Sequence, residues 1–350
     1  MSERTLPKDN LYGLEREALE ARLSALGAPR FHGRQAFRWM YGFGAVDPNA
    51  WTDLPKSLRS EVAERFRVDP GGLDVERAAD DGTVKYRFRP AGGGVVECVA
   101  MEQSGRTTLC LSSQAGCALG CEFCLTGKMG PGRNLDAGEI VGQVRLMRDA
   151  RGLADERFNI VFMGMGEPLH HYDAVTSAIR VLTDPEGLAI SRRRVTVSTV
   201  GLVPAIERLA EERVRPHLAV SLNATTDEVR DRLMPINRRY PLERLLGACR
   251  VWVERTGERP TFEYVLLAGI NDHDDDVARL AAIARRIGAK INLIPFNAVP
   301  GLLPFEPPSE ARVDALLAAL LRAGHRASVR WSRGRSVRAA CGQLALLEAS

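Results

Sequence analysis

The 350-residue chain has no run of about 18 apolar residues, so a membrane-spanning helix is not expected. Its opening residues, Met1 to Asn10, lack the apolar centre of a signal peptide, and a cytosolic setting is expected. Seven cysteines in a reducing compartment favour ligand or catalytic roles over structural disulfides. The six histidines form no H-x-x-H pattern, and no two Cys-x2-Cys units pair up as a zinc site would want. No internal repeat and no low-complexity tract is present, which argues against solenoid or fibrous architectures. A net charge of +4 is too small on its own to identify a nucleic-acid partner.

What is present begins with three thiols on one short stretch, Cys117-Ala-Leu-Gly-Cys121-Glu-Phe-Cys124. Four-iron clusters are held by cysteine thiolates, and three donors for four irons leave one iron open for chemistry. Two other readings fit the spacing: a zinc knuckle borrowing Cys110 or a histidine, and a redox pair Cys121/Cys124 with Cys117 incidental.

Charge distribution says more than net charge. Residues 322 to 338 hold Arg322, Arg326, Arg330, Arg333, Arg335 and Arg338, with His325 and no acid. Residues 21 to 46 hold Arg22, Arg30, Arg34 and Arg38, again without an acid, interleaved with Phe31, Phe37, Trp39, Tyr41 and Phe43. Arginine for phosphates and aromatic faces for bases suit looped or single-stranded RNA. The same pattern also fits a solvated basic face whose aromatics lie in the core.

The periodicity predicts helices over Glu15–Leu26, Gly33–Tyr41 and Pro55–Phe66, with Pro70-Gly71-Gly72 as a boundary. From Asp80 the period becomes two, and Gly92-Gly93-Gly94 turns Val84–Arg89 back into Val95–Met101, a hairpin carrying Glu97. Six strand–loop–helix units follow, with strands at 107–112, 158–163, 194–199, 217–222, 261–267 and 290–296, and an edge strand over Ala327–Trp331. Their helices are expected over 136–151, 172–182, 202–211, 226–232, 274–287 and 309–322, the fourth unit continuing past Pro241. Asp136-x-x-Glu139 predicts a capping box. Six units fall short of a closed barrel, so an open, mostly parallel sheet is expected, with ligands at the carboxyl ends of its strands.

Those ends carry the unusual loops: the thiol triad, Gly164-Met-Gly-Glu-Pro168, Ser198, Ser221-Leu222-Asn223 and Asn297. Glycines there let backbone approach a ligand, and Glu167 accepts from an ammonium or hydroxyl group. Cys341 follows the arginine-rich run and reads either as an inert buried thiol or as a nucleophile. Cys110 reads as a ligand, a core residue or a second reactive thiol, and Cys98 and Cys249 as core.

Cys117-x3-Cys121-x2-Cys124 with Gly164–Pro168 resembles the radical S-adenosylmethionine (SAM) superfamily. The segments 108–114, 162–169, 194–201, 232–237 and 339–344 resemble the RlmN/Cfr group of RNA adenine methyltransferases, over a span from Glu15 to Leu344. The resemblance implies an α/β fold: a partial (β/α)6 radical-SAM barrel with a small N-terminal helical accessory domain and a β-hairpin extension. The divisions are 1–72 for the RNA-binding helical domain, 73–102 for the hairpin and 103–344 for the radical SAM core.

It further implies that Cys117, Cys121 and Cys124 hold a [4Fe-4S] cluster, and that Gly166, Glu167, Ser198, Ser221, Leu222, Asn223 and Asn297 contact SAM. Cys341 matches the cysteine that is itself methylated, Cys110 the resolving thiol and Glu97 the proton acceptor. The implied reaction consumes two SAM per turnover and methylates adenine C2 through a transient protein–RNA crosslink. Its substrates would be an adenosine in the peptidyl-transferase region of 23S rRNA and the adenosine 3′ of the anticodon in tRNAs. The enzyme would be a cytoplasmic monomer fed by an electron donor of unspecified identity. A Cfr-type enzyme methylating C8 with the same cysteines is the near alternative, and a non-catalytic zinc RNA-binding protein the distant one. Asn223 stands where many relatives have histidine, and Arg335–Arg338 replaces a more acidic stretch.

Overall fold

The computed structural model describes residues 8–154 and 156–346. Its N-terminal part is helical: α1 (Arg16–Ser24), α2 (Arg30–Phe37), a π turn over Arg38–Gly42, and α3 (Lys56–Arg65). Leu19, Leu23, Phe37, Tyr41 and Val62 lie on the inner faces of these elements and are buried. A short parallel pair that the periodicity does not reveal, β1 (Asp9–Asn10) with β2 (Phe66–Arg67), ties the start of this segment to its end.

A ten-stranded open sheet carries the rest, and its spatial order is its chain order: β3 (Gly72–Ala78), β4 (Val84–Arg89), β5 (Val96–Gln103), β6 (Arg106–Cys110), β7 (Phe158–Phe162), β8 (Val195–Thr199), β9 (His217–Ser221), β10 (Thr261–Leu266), β11 (Lys290–Pro295) and β12 (Ala327–Val329). From β6 to β12 every pairing is parallel. From β3 to β6 every pairing is antiparallel. The expected hairpin is therefore β4 and β5, extended by β3 into a meander that continues the barrel sheet. Crossover helices α5 (Ala137–Ala150), α6 (Tyr172–Thr183), α7 (Val203–Leu209), α8 (Asp227–Leu233), α9 (Leu242–Thr256), α10 (Asp274–Ile287) and α11 (Glu310–Arg322) follow the single-turn α4 (Leu125–Lys128). Among the described residues no helix is long and apolar enough to cross a membrane.

Local chemistry fixes where these elements start. The capping box forms: Asp136 Oδ1 accepts from the Glu139 amide at 2.8 Å, and Glu139 Oε2 accepts from the Asp136 amide at 2.9 Å. Glu139 also accepts from the Gly92 amide at 2.7 Å, tying the hairpin turn to α5. The helical segment and the sheet share one continuous apolar core. One close approach is at Gly13, where φ is +101° and an added Cβ would stand 2.2 Å from the Gly138 nitrogen on α5. Arg16 to Asp184 and Arg180 to Glu15 bridge the same junction.

Candidate active site

The carboxyl-end rim is built first from the loop after β6. Ser112 donates its hydroxyl to the Glu97 carbonyl and accepts from the Met165 amide at 2.8 Å. The fully buried Gln143 on α5 bonds both the amide and the carbonyl of Ser112 at 2.9 Å. These bonds join the loops after β6 and β7. Gly166, with φ of +97°, closes the join: an added Cβ would sit 2.5 Å from the Gln114 side chain. The glycines of Gly164–Pro168 thus allow close loop-to-loop packing, and Gly164 and Gly166 also line the cavity at this rim.

The thiol loop then turns through Gly116, and the Cys117 amide donates to the Gly130 carbonyl at 2.8 Å. Cys121 and Cys124 line a cavity of ≈ 160 Å³ together with Gly166, Glu167, Ser198, Ser221, Asn223, Asn297 and Cys341. Cys117 stands half-buried beside this group, within electrostatic reach of Cys124 and Glu167. Leu222 does not line the cavity; its side chain is in the core, and its amide donates to the Glu263 carbonyl at 3.0 Å.

Burial pushes the Cys117 thiol up to about 11 and Cys121 well above its ordinary value, with the neighbouring thiols adding to the shift of Cys121. Burial likewise raises Cys124. Three crowded thiols that resist ionisation alone suit a positively charged iron–sulfur group that takes them as thiolates. Among the described residues no three Cys, His, Asp or Glu donors converge as a single metal ion requires. A four-iron cluster takes each thiolate at a separate iron, so its donors stand further apart than those around one ion.

The polar lining fits a charged small molecule. Glu167 is buried, and burial pushes its carboxyl up to about 7 although the amides of Val200, at 2.9 Å, and Leu169, at 3.0 Å, favour the ionised form. Asn297 gives its Nδ2 to the Cys341 carbonyl at 3.0 Å, while its Oδ1 is buried without a partner among the described residues. An orphaned acceptor on a cavity wall is a binding group awaiting a donor. Asn223 holds φ of +56°, a left-handed conformation that asparagine tolerates well, and its Oδ1 accepts from the Val265 amide at 2.8 Å. Here asparagine is used to lock the end of β9.

Cys110, the last residue of β6, lines a second cavity of ≈ 310 Å³ with Arg330, Trp331, Arg333 and, again, Cys341. Burial pushes the Cys110 thiol up to about 12, with Cys341 adding and Arg330 opposing. Arg330 donates to the Met163 sulfur at 3.0 Å, and its charge is favoured chiefly by Cys341 and then by Glu263 and Cys110, against burial. Glu97 lines neither cavity. The arginine-rich run is thus split between this cavity and solvent. The aromatic–arginine stretch splits too: Phe37 and Tyr41 are core, while Phe31 (56%), next in the chain to the exposed Arg30, and Phe43 (65%), packed on Trp39, are exposed. Cys98 and Cys249 are buried as expected.

The sequence reading missed Arg230. It is fully buried on α8 and donates Nε to the Leu222 carbonyl at 3.0 Å, Nη1 to Asn237 at 2.9 Å and Nη2 to the Val200 carbonyl at 2.7 Å. Burial pulls its pKa down to about 10. It pins the ends of β8 and β9 where the cavity lining sits. Its one sequence signal is that it falls on the helix face of Leu233, three residues on.

Comparison with known proteins agrees with this geometry. The family model of the radical SAM superfamily matches residues 111–281, and that of the ribosomal RNA large subunit methyltransferase N-terminal domain matches residues 9–68. The chain is 48% identical to a dual-specificity RNA methyltransferase RlmN of Anaeromyxobacter sp. (strain Fw109-5), covering 97% of this chain and 91% of that one. A probable RlmN of Moorella thermoacetica is 46% identical, with 96% of each covered. A crystal structure of a radical SAM methyltransferase from Sphaerobacter thermophilus superposes with a TM-score of 0.90 at 48% identity, covering 96% of this chain and 99% of that one. Coverage this complete extends the likeness to the helical segment, the sheet and the Cys341 loop alike: the protein belongs to the RlmN family of radical SAM RNA methyltransferases, whose cofactors are a [4Fe-4S] cluster and SAM.

Proposed function

We propose that this enzyme methylates C2 of an adenosine in the peptidyl-transferase region of 23S rRNA and of the adenosine 3′ of the anticodon in tRNAs, with Cys341 as the methyl carrier. The observation that carries the reading is the place of Cys341 on the wall of both cavities, with Cys121 and Cys124 on one side and Cys110 on the other.

Adenine C2 is electron-poor and cannot attack a methyl cation, so a polar transfer is closed to it. Bound to Cys117, Cys121 and Cys124, the cluster would reduce SAM and so supply a radical able to take hydrogen from an S-methyl group. The chain's own residues do the rest. Gly166, Glu167, Ser198, Ser221, Asn223 and Asn297 orient the sulfonium substrate, and Leu222 contributes backbone. Cys341 accepts a methyl group on sulfur and presents it to the base in the second cavity. After the base carbon has bonded to that methylene, the adduct's unpaired electron would return to the one-electron couple that began the step, and Glu97 accepts the C2 proton. The Cys110 thiolate then attacks the Cys341 sulfur; the sulfur–methylene bond breaks with its electron pair on carbon, which takes a proton, leaving methyladenosine and a Cys110–Cys341 disulfide. An external reductant restores the two thiols.

Relatives of the RlmN type at nearly full coverage support C2 over the C8 chemistry of Cfr-type enzymes. Substrates of this size and charge place the enzyme in the cytoplasm. The test is to incubate reconstituted enzyme with SAM, a reductant and either 23S rRNA fragments or tRNA, and to identify the modified nucleoside by mass spectrometry. 2-Methyladenosine is expected; 8-methyladenosine would move the protein to the other chemistry. Stoichiometric zinc without iron in anaerobically purified protein would end the enzymatic reading.

A further inference from the structure

Glu97 on β5 is almost fully buried, and both of its carboxylate oxygens are engaged. Oε1 lies 2.9 Å from the ammonium of Lys85 on β4, itself buried. The register pairs Arg87 with Glu97 and Lys85 with Val99, so Lys85 and Glu97 are diagonal neighbours on one face of the meander. Oε2 accepts from the amides of Ala345 at 3.0 Å and Leu346 at 3.3 Å, beyond Cys341 in the chain.

The other side of Cys341 is pinned to the same meander. Asp81, in the turn between β3 and β4, accepts from the Gly334 amide at 2.8 Å, and Arg333 donates to the carbonyls of Asp81 and Glu102 at 2.9 Å. Nearer the thiol, the Gly342 carbonyl accepts from Leu125 at 2.9 Å, on the cluster side. The Cys341 segment is therefore strung between two anchors on the meander, with its centre resting on the thiol loop.

A buried ammonium–carboxylate pair gives up two hydration shells, and an apolar pair of similar size would serve stability at least as well. What the ions provide is direction: the carboxylate points at two tail amides, and Lys85 balances the charge that this requires. We propose that Lys85 and Glu97 form a latch that positions the Cys341 segment between the two cavities, and that Glu97 becomes available as a base when Ala345 and Leu346 lift away. The proposal rests on the reading of Cys341 as methyl carrier. While latched, Glu97 has both oxygens bonded and faces neither cavity. Leu344, adjacent to the latched amides, lines the second cavity, so lifting the tail opens that cavity toward Glu97. Lys85 touches Glu97 and not the reacting atoms, which makes it a positioning residue. The latch thus orders two events on one carboxylate, holding the methyl carrier first and taking the proton second.

Hydrogen exchange on the full-length protein, read at the Ala345 and Leu346 amides, tests the latch without any reference to activity. Lys85→Met should speed exchange there at least about tenfold while amides of α5 stay unchanged, and Lys85→Arg should restore protection. Because Lys85→Met leaves a buried carboxylate unpaired, the neutral pair Lys85→Met/Glu97→Met, which removes the acceptor as well, is measured beside it, with the same acceleration expected. Unchanged protection in the neutral pair overturns the latch. In activity, Lys85→Met should cleave SAM at the normal rate yet methylate RNA at least about tenfold more slowly; normal methylation in a variant whose tail exchanges freely also overturns it. Cys341→Ala separates the two ideas: if it still methylates RNA, the methyl-carrier reading fails while the exchange result stands.

Discussion

The first cavity takes Cys121 and Cys124 from one loop, and its polar lining from the carboxyl ends of the consecutive strands β7 to β11. The second takes Cys110 from β6, Arg330 from the segment after β12 and Cys341 from a loop that returns across the sheet. One is written in a short stretch of sequence; the other exists only after the sheet is complete. On the proposed function the contrast separates two tasks, generating a radical and delivering a carbon, and among the described residues only Cys341 and Met163 line both spaces.

The largest effect expected is from Cys121→Ala, which should strip iron from the protein and abolish SAM cleavage and RNA methylation together. Iron and sulfide analysis decides it, and full iron retention would remove the triad from its proposed role. Cys341→Ala should instead divide the two regions: methylation falls by roughly three orders of magnitude or more while SAM cleavage stays within about twofold. Equal loss of both activities would show that the two cavities are not separable.

Arg330→Met addresses the second cavity alone. Burial raises the Cys110 thiol and Arg330 lowers it, so removing Arg330 raises it further and shrinks the thiolate fraction at neutral pH. Release of the crosslinked RNA should slow by roughly tenfold near neutrality and recover as pH rises. Denaturing gels of the crosslinked species measure this, and a pH-independent defect would deny Arg330 that role. The smallest effect belongs to the first cavity. Glu167 is raised to about 7, so its charged form is present above that pH and lost as pH falls through it. Affinity for SAM should weaken about fourfold as pH drops from about 8 to about 6.5, by calorimetric titration. A flat profile would mean that Glu167 does not meet the ammonium group as a carboxylate.

The same contrast explains what was readable in the sequence. The thiol loop, the Asp136–Glu139 box and the strand–helix alternation are local patterns, and each took the expected form. β3 escaped because Gly71-Gly72 reads as a break, although the chain passes straight from that turn into a strand. Arg230 escaped because a charged residue on a short helix usually points to solvent. The latch on Glu97 could not be read at all, since its partners lie 248 and 249 residues away and are backbone amides, which carry no residue identity. Motif resemblance named the candidate residues; the fold shows which of them are already engaged.

Because the sheet's spatial order is its chain order, each strand finds its neighbour already made as synthesis proceeds. The polar lining of the first cavity is made through Asn297, whereas Cys341 follows 44 residues later on a segment that returns to the meander. On the proposed function, a chain arrested between those points would carry the cluster ligands without the methyl carrier. The anchors at the β3–β4 turn and on β5 thus join strands made early in synthesis to a loop made well over two hundred residues later.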